Sequence, residues 1–222
     1  MLNSINPDVV SIYKQLQNAH YEVYFVGGCV RNLLMDLPVS DWDLTTNATP
    51  DEIQKVFPDS FCDNEFGTVG VMLSSEENEK KYVEITTYRT EKNYKDFRHP
   101  GEVNWGKSLE EDITRRDFTV NALALEIIDD KTQVIDLVDG KKDLEKKLIR
   151  AVGNPDERFK EDALRLMRAV RFTSQLSFEI EEKTLDSIKK DAHLITHIAN
   201  ERIRDELLKI LATDRAYEGI QL

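Results

Sequence analysis

Cysteine is scarce in this chain. Cys29 and Cys62 are the only two, and they stand in no metal-ligand spacing. This excludes a disulfide-stapled scaffold and a cysteine-rich zinc module, and two reduced thiols are expected. No apolar run approaches the roughly eighteen residues that a membrane helix needs, so no membrane partner is expected. The opening segment, MLNSINPDVVSIYKQL, has no basic stretch leading into an apolar core. No secretory signal is visible, and a cytoplasmic location is the expectation. Positive charge is also in short supply: the formal net charge is −12, which argues against a general polyanion binder. The deficit is uneven. Residues 1–88 carry 5 basic and 14 acidic side chains, residues 89–171 carry 18 of each, and residues 172–222 carry 7 and 10. A positive face can form only in the middle third, so any nucleic-acid contact is expected to be local.

What is present is ordinary globular material: 222 residues, 40% hydrophobic and 32% charged. That is enough for one large or two small domains with ample core. Asn6-Pro7 opens a helix whose apolar positions Val9, Val10, Ile12, Tyr13 and Leu16 fit one face. Val23–Val26 reads as a strand, Val30–Met35 as a helix and Asp41–Thr45 as a strand. Thr49-Pro50-Asp51-Glu52 starts another helix with Thr49 as N-cap. Val69–Leu73 and Tyr82–Tyr88 read as strands joined through the polar run SSEENEKK. Residues 89–107 have no steady period and read as a long loop. Ser108-Leu109-Glu110-Glu111 is a capping box. Phe118–Ile127 is apolar and predicted helical, Gln133–Val138 is a short strand, and from Lys141 the period is helical almost to the end. The fold class is α+β over residues 1–140, followed by an all-helical segment over 141–222.

The most informative stretch is YFVGGCVRNLLMDLPVSDWDLTT, Tyr24 to Thr46. An apolar strand meets a Gly27-Gly28 turn, a short helix follows, and then Asp41 and Asp43 stand two apart. Residues two apart on a strand share a face, and two carboxylates held that close favour a cation between them. Hard divalent cations such as Mg²⁺ take one or two carboxylates together with substrate phosphates. A lone D-x-D is common on surfaces and a lone Gly-Gly is usually a turn. The order strand, Gly-Gly, helix, D-x-D is far more specific, and suggests a nucleotide site.

Two further constellations follow. Arg115-Arg116-Asp117-Phe118-Thr119-Val120-Asn121-Ala122-Leu123 sets adjacent arginines and an aspartate beside an apolar base, which suits a polyanion contact or a solvated helix end. In Arg158–Phe172, Asp162, Arg165, Arg168 and Arg171 recur every third residue. On one continuous helix each step of three drifts by about 60°, so the four form a curved wall rather than converge on one atom. An intrahelical ion-pair ladder would alternate sign, and this one does not.

The segments GGCVRN…DWDLTT, RRDFTVNALAL and EDALRLMRAVRF, in that order and with EFGTVGV and VEITTYRT between them, resemble the bacterial-type (class II) tRNA nucleotidyltransferases. These are the CCA-adding enzymes, with the related bacterial poly(A) polymerases. The resemblance covers about residues 22–175. It implies a polymerase-β-like catalytic head, a mixed sheet with flanking helices, and a helical neck that recognises the base. It implies Asp41 and Asp43 as catalytic metal ligands with Mg²⁺ as cofactor. Gly28 and Arg31 would contact the triphosphate, Arg116, Asp117 and Asn121 the nucleotide. Asp162 and Arg165 would read the base, with Arg168 and Arg171 supporting the nucleotide site. CTP, ATP and the tRNA 3′ end are the implied partners, and template-independent CCA addition by two-metal phosphoryl transfer is the implied activity. A CC-adding or A-adding enzyme or a poly(A) polymerase would share these residues. A non-catalytic nucleotide- or RNA-binding module is the reading of another class, and an intact D-x-D speaks against it.

The base-reading role has a physical logic. Cytosine and adenine both present an amino donor beside a ring-nitrogen acceptor. A carboxylate can accept from the first while a guanidinium donates to the second. Uracil and guanine present a carbonyl there, and leaving buried polar groups unpaired costs about 1–3 kcal/mol each. Glu84, on a neighbouring strand, is a candidate third carboxylate, with a solvated strand end as the bland alternative. Tyr94, Phe97, His99 and Trp105, among basic residues of the long loop, suit base stacking or anchorage of the loop. His193 and His197, four apart, lack the further ligands of a zinc site. Position 32 is Asn where the family is expected to carry Asp. The chain also stops where the family normally continues into tRNA-anchoring domains, so a truncated form or an unusually short member is expected, one that binds NTP but holds tRNA poorly.

Overall fold

A computed structural model describes residues 1–62, 67–73, 82–92, 102–106 and 108–222. They fall into two compact units. One comprises Met1–Thr90, Asn104–Ile113 and Asn121–Leu137, and the other Glu91–Val103, Thr114–Val120 and Val138–Leu222.

The first unit is built on a seven-stranded mixed sheet. Helix α1 (Pro7–Asn18) starts where Asn6 Oδ1 accepts from the Asp8 amide at 2.8 Å, with Pro7 in its first turn. It is followed by β1 (Val23–Val26), α2 (Gly28–Leu34), β2 (Trp42–Thr46) and α3 (Pro50–Val56). Helix α3 carries the capping box of Thr49 and Glu52. Next come β3 (Phe61–Cys62), β4 (Thr68–Met72) and β5 (Tyr82–Thr87). The run between β4 and β5 lies outside the described residues. Strands β6 (Arg89–Lys92) and β7 (Glu102–Trp105) pair as a separate ribbon, so the ends of the expected long loop are strands. Trp105 lies over Gly67, where a Cβ would come within 2.4 Å of its ring. This aromatic anchors to the sheet, and Tyr94, Phe97 and His99 lie outside the described residues.

After α4 (Leu109–Thr114) come β8 (Leu123–Ile128) and β9 (Lys131–Asp136), and the sheet order is β3-β4-β5-β2-β1-β8-β9. Only β2–β5 is parallel. The helix expected over Phe118–Ile127 is thus corrected to a single 3₁₀ turn, Thr119–Asn121, leading into β8. A short apolar run cannot be assigned by period. Here Leu123, Ala124 and Leu125 are all fully buried between β1 and β9, an environment that favours an interior strand. The core stacks Tyr13 on Phe25 at 5.0 Å, with Trp42 edge-on to Phe25 at 5.9 Å.

The second unit is mainly helical: α5 (Gly140–Lys146), α6 (Pro155–Glu161), α7 (Leu164–Leu176), α8 (Glu182–Asp191), α9 (Asn200–Leu211) and α10 (Ala216–Gln221). One two-residue parallel pair, β10 (Leu148–Ile149) with β11 (Glu179–Ile180), interrupts the expected all-helical run. Its core gathers Phe118, Phe159, Leu166, Ala169 and Phe172, with Phe118 edge-on to Phe172 at 5.8 Å. His193 and His197 fall in a 3₁₀ segment, Ala192–His197, rather than an α-helix.

Candidate active site

In the first unit the Gly-Gly turn is a backbone necessity. Gly27 has φ 79° and ψ −140°, a conformation that L side chains rarely adopt. It turns β1 directly into α2. The Cys29 thiol, on the first turn of α2, donates to the Val26 carbonyl at 3.1 Å and lies 3.8 Å from the Asp43 carbonyl. Burial and the neighbouring Asp43 charge push that thiol up to about 12. The Arg31 guanidinium turns back over Gly28, whose Cβ would meet Arg31 Nη2 at 3.5 Å. Arg31 is 5% exposed. Its Nη1 donates to Asn121 Oδ1 at 2.6 Å, and its Nε and Nη2 donate to Asn32 Oδ1 at 3.1 and 2.8 Å. Asn32 therefore supplies the acceptor that an aspartate would, without the charge, and its Nδ2 donates to the Pro38 carbonyl at 2.8 Å.

Asp41 stands one residue before β2 and is exposed, with Oδ2 accepting from Ser40 Oγ at 2.8 Å. Asp43 lies within β2 between buried Trp42 and Leu44. The parallel register pairs Asp43 with Glu84 on β5, and the antiparallel register pairs Glu84 with Gly70 on β4. Residues in register share a sheet face. A row Asp43–Glu84–Gly70 thus crosses three strands, with no side chain beyond Glu84 on β4. Among the described residues no three metal-type ligands close around one point.

In the second unit the Arg-Arg-Asp segment is a turn and bend that ends in a single antiparallel bridge at Phe118. Thr119 N donates to the Arg150 carbonyl at 2.9 Å, Val152 N donates to the Asp117 carbonyl at 3.0 Å, and Phe118 bridges Ala151. Asp117 is 9% exposed. Its Oδ1 accepts from the Phe118 amide at 2.7 Å and its Oδ2 from Arg168 Nε at 2.8 Å, with Arg168 Nη2 at 2.6 Å. Burial alone pushes this carboxyl up, but Arg168, with Arg165 behind it, more than reverses that and holds it below the ordinary carboxylate range. Arg168 and Arg171 flank the Phe172 ring at 5.2 and 4.4 Å from its centre. Arg171 Nε lies 2.9 Å from Glu206 Oε2 on α9, and burial together with Arg168 holds its pKa below the ordinary guanidinium value. Arg116 is partly buried.

Asp162 is not on the helix that carries the three arginines. It has extended backbone, φ −139° and ψ 103°, at the end of α6. Helix α7 begins two residues later. The continuous wall expected from every-third spacing is broken there, because Asp162 Oδ1 accepts from the Leu164 amide at 3.1 Å and so caps the new helix. Arg202 on α9 grips the same carboxylate, Nη1 to Oδ1 at 3.3 Å and Nη2 to Oδ2 at 3.0 Å. Arg165 is 9% exposed. Its Nη1 donates to Glu161 Oε2 at 2.7 Å and the Arg158 carbonyl at 3.1 Å, and its Nη2 to the Arg115 carbonyl at 3.0 Å. The sequence reading missed Arg202, Glu161 and Glu206 as partners. Glu161 stood one residue from a candidate and was findable, whereas nothing local pointed to Arg202, forty residues downstream of Asp162.

Comparison with known proteins places this architecture. Residues 23–150 match the poly A polymerase head domain, and residues 177–222 match a probable RNA and SrmB-binding site of polymerase A. The chain belongs to the poly A polymerase head-domain family. It is 49% identical over 211 residues to the CCA-adding enzyme of Ligilactobacillus salivarius, covering 95% of this chain and 50% of that one. It is 47% identical over 205 residues to that of Enterococcus faecalis, covering 92% and 48%. The crystal structure of the Bacillus stearothermophilus CCA-adding enzyme in complex with CTP superposes with a TM-score of 0.84 at 38% identity, over 97% of this chain and 51% of that one. The Thermotoga maritima CCA-adding enzyme complexed with tRNA_CCA gives 0.79 at 25% identity, over 98% and 50%. The chain spans about half the length of the relatives it matches. The mixed sheet with flanking helices and the helical segment after it are therefore the head-and-neck architecture that the motifs implied. No helix among the described residues is long and apolar enough to cross a membrane.

Proposed function

We propose that this chain carries the nucleotide-transfer and base-selecting parts of a CCA-adding enzyme, joining CMP and AMP to the 3′ end of tRNA without a template. The observation that carries the reading is the parallel register that stands Glu84 beside Asp43, two residues past Asp41, in the unit that also holds the Gly28–Arg31 turn. Relatives of this sequence bear the name CCA-adding enzyme, and one was solved with CTP.

The donors Asp41, Asp43 and Glu84 are all oxygen, which suits Mg²⁺. Among the described residues no group of three such donors closes around one point, so Asp41 and Asp43 would be the pair that holds the ion, with substrate phosphates completing its shell. When bound, that ion would supply Lewis-acid stabilisation of charge developing at the α-phosphate and the departing pyrophosphate. Arg31, oriented by Asn121 and Asn32, neutralises triphosphate charge beside Gly28. Arg116 and Asp117 meet the nucleotide, with Arg168 fixing the Asp117 carboxylate and Arg171 supporting the same helix. Asp162 accepts from the amino group of cytosine or adenine while Arg165 donates to the adjacent ring nitrogen.

The test is incubation with a tRNA lacking its terminal CCA and each nucleoside triphosphate singly and together. CTP should be incorporated first, ATP only after it, and UTP and GTP poorly. Asp41→Ala combined with Asp43→Ala should abolish all incorporation. Addition of AMP alone to any RNA would overturn CCA addition, and activity surviving in the double variant would overturn the metal assignment.

A further inference from the structure

We propose that Arg202 is a specificity-determining positioning residue: by gripping Asp162 at two points it leaves that carboxylate a single acceptor direction, and so sets which bases the site admits. The inference rests on the base-reading role given above to Asp162 and Arg165, and deepens it.

The argument is a count of hydrogen bonds. A carboxylate offers about four lone-pair positions. In Asp162, Oδ1 accepts from the Leu164 amide at 3.1 Å and from Arg202 Nη1 at 3.3 Å, which fills it. Among the described residues Oδ2 accepts only from Arg202 Nη2 at 3.0 Å. One position on Oδ2 stays open. Arg165 is used up in the same fashion. Both Nη1 hydrogens go to Glu161 and the Arg158 carbonyl, and one Nη2 hydrogen goes to the Arg115 carbonyl. Among the described residues its second Nη2 hydrogen and its Nε–H remain. The two side chains thus keep one acceptor direction and one donor edge, the pattern that complements an amino group beside a ring nitrogen.

The two are braced from different places. Glu161 and Arg158 brace Arg165 from α6, next to it in sequence. Arg202 braces Asp162 from the first turn of α9, and no other side chain hydrogen-bonds to that carboxylate among the described residues. Arg202 and Asp162 side chains are 26% and 21% exposed, so the clamp is shielded enough to hold its geometry yet open to an incoming base. Without Arg202, Oδ2 would be free to rotate or to take a water, and a water can donate as well as accept. A carbonyl facing that water would then be tolerated, which is how UTP or GTP would enter.

The experiment is equilibrium binding of CTP, ATP, UTP and GTP, each with Mg²⁺ and no RNA, to the wild-type chain, Arg202→Met, Arg202→Lys and Asp162→Asn, with thermal melting of each in parallel. Wild type should prefer CTP and ATP. Arg202→Met should erode that preference by about tenfold, the scale of one mispaired buried polar group, and Arg202→Lys should fall between. A role in fold alone would lower melting temperature and weaken all four nucleotides together, leaving the ratios unchanged, and that outcome overturns the proposal. Wild-type ratios kept in Arg202→Met but lost in Asp162→Asn overturn the Arg202 role and leave base reading by Asp162 standing. A wild-type chain that binds all four alike overturns both. If Arg202→Met does not fold, the ratios in Arg202→Lys decide alone.

Discussion

At the scale of the residue, environment sets chemistry more than residue type does. Cys29 and Cys62 are both free thiols, but Cys29 is buried and raised to about 12 while Cys62 is exposed. An alkylating reagent at pH 8 should label one thiol per native chain, and two only after unfolding. Fast labelling of both in the native state would mean that the first turn of α2 opens. Asp117 makes a second test. Its folded pKa is depressed, so the Arg168 pairing adds stability that is fully present above the ordinary aspartate value, about 4, and is lost as pH falls through the lower folded value. Asp117→Asn should lose about 2–3 kcal/mol at neutral pH, less than a fully buried pair costs to break because a third of the Arg168 side chain stays in water. The stability difference between variant and wild type should shrink in acid. Denaturant melts across that range check both statements.

At the scale of the element, helix ends and close approaches decide what packs. Helix α6 stops at Asp162 because a short carboxylate beside the backbone offers the Leu164 amide a better partner than continued helix does. Helix α10 sits against α7 through Gly219, where an added Cβ would come within 2.2 Å of Ser174 Oγ and 2.8 Å of Ile210 Cγ2. Gly219→Ala should therefore destabilise the second unit by about 1–3 kcal/mol despite alanine's better helix propensity. Calorimetry of that variant distinguishes the outcomes, since a higher melting temperature would mean that α10 shifts freely. The N-cap at Asn6 was legible as an Asn-Pro pair, because capping is chemistry between neighbours. The strand character of Leu123–Ile128 was not, because the same apolar letters serve a buried helix or an interior strand until β1 and β9 are in place.

At the scale of the whole molecule, the charge balance limits what the chain can hold unaided. A net charge of −12 repels phosphate backbone in general, and only residues 89–171 are balanced. The chain should therefore pass a heparin column unretained at about 0.15 M salt. Retention to high salt would reveal a basic face stronger than the composition implies. The amino-acid sequence by itself determined what neighbours in the chain determine: the caps, the Gly27 turn, the D-x-D pair, the Arg-Arg-Asp and Glu-Asp motifs, and through them the family. Tertiary structure alone decided which distant side chains meet. Glu84 stands beside Asp43, Asn121 orients Arg31, Arg168 holds Asp117, and Arg202 clamps Asp162. Capping and turns act over three or four residues, whereas strand register and ion pairing across helices arise only once the core has brought remote segments to within 3 Å or so.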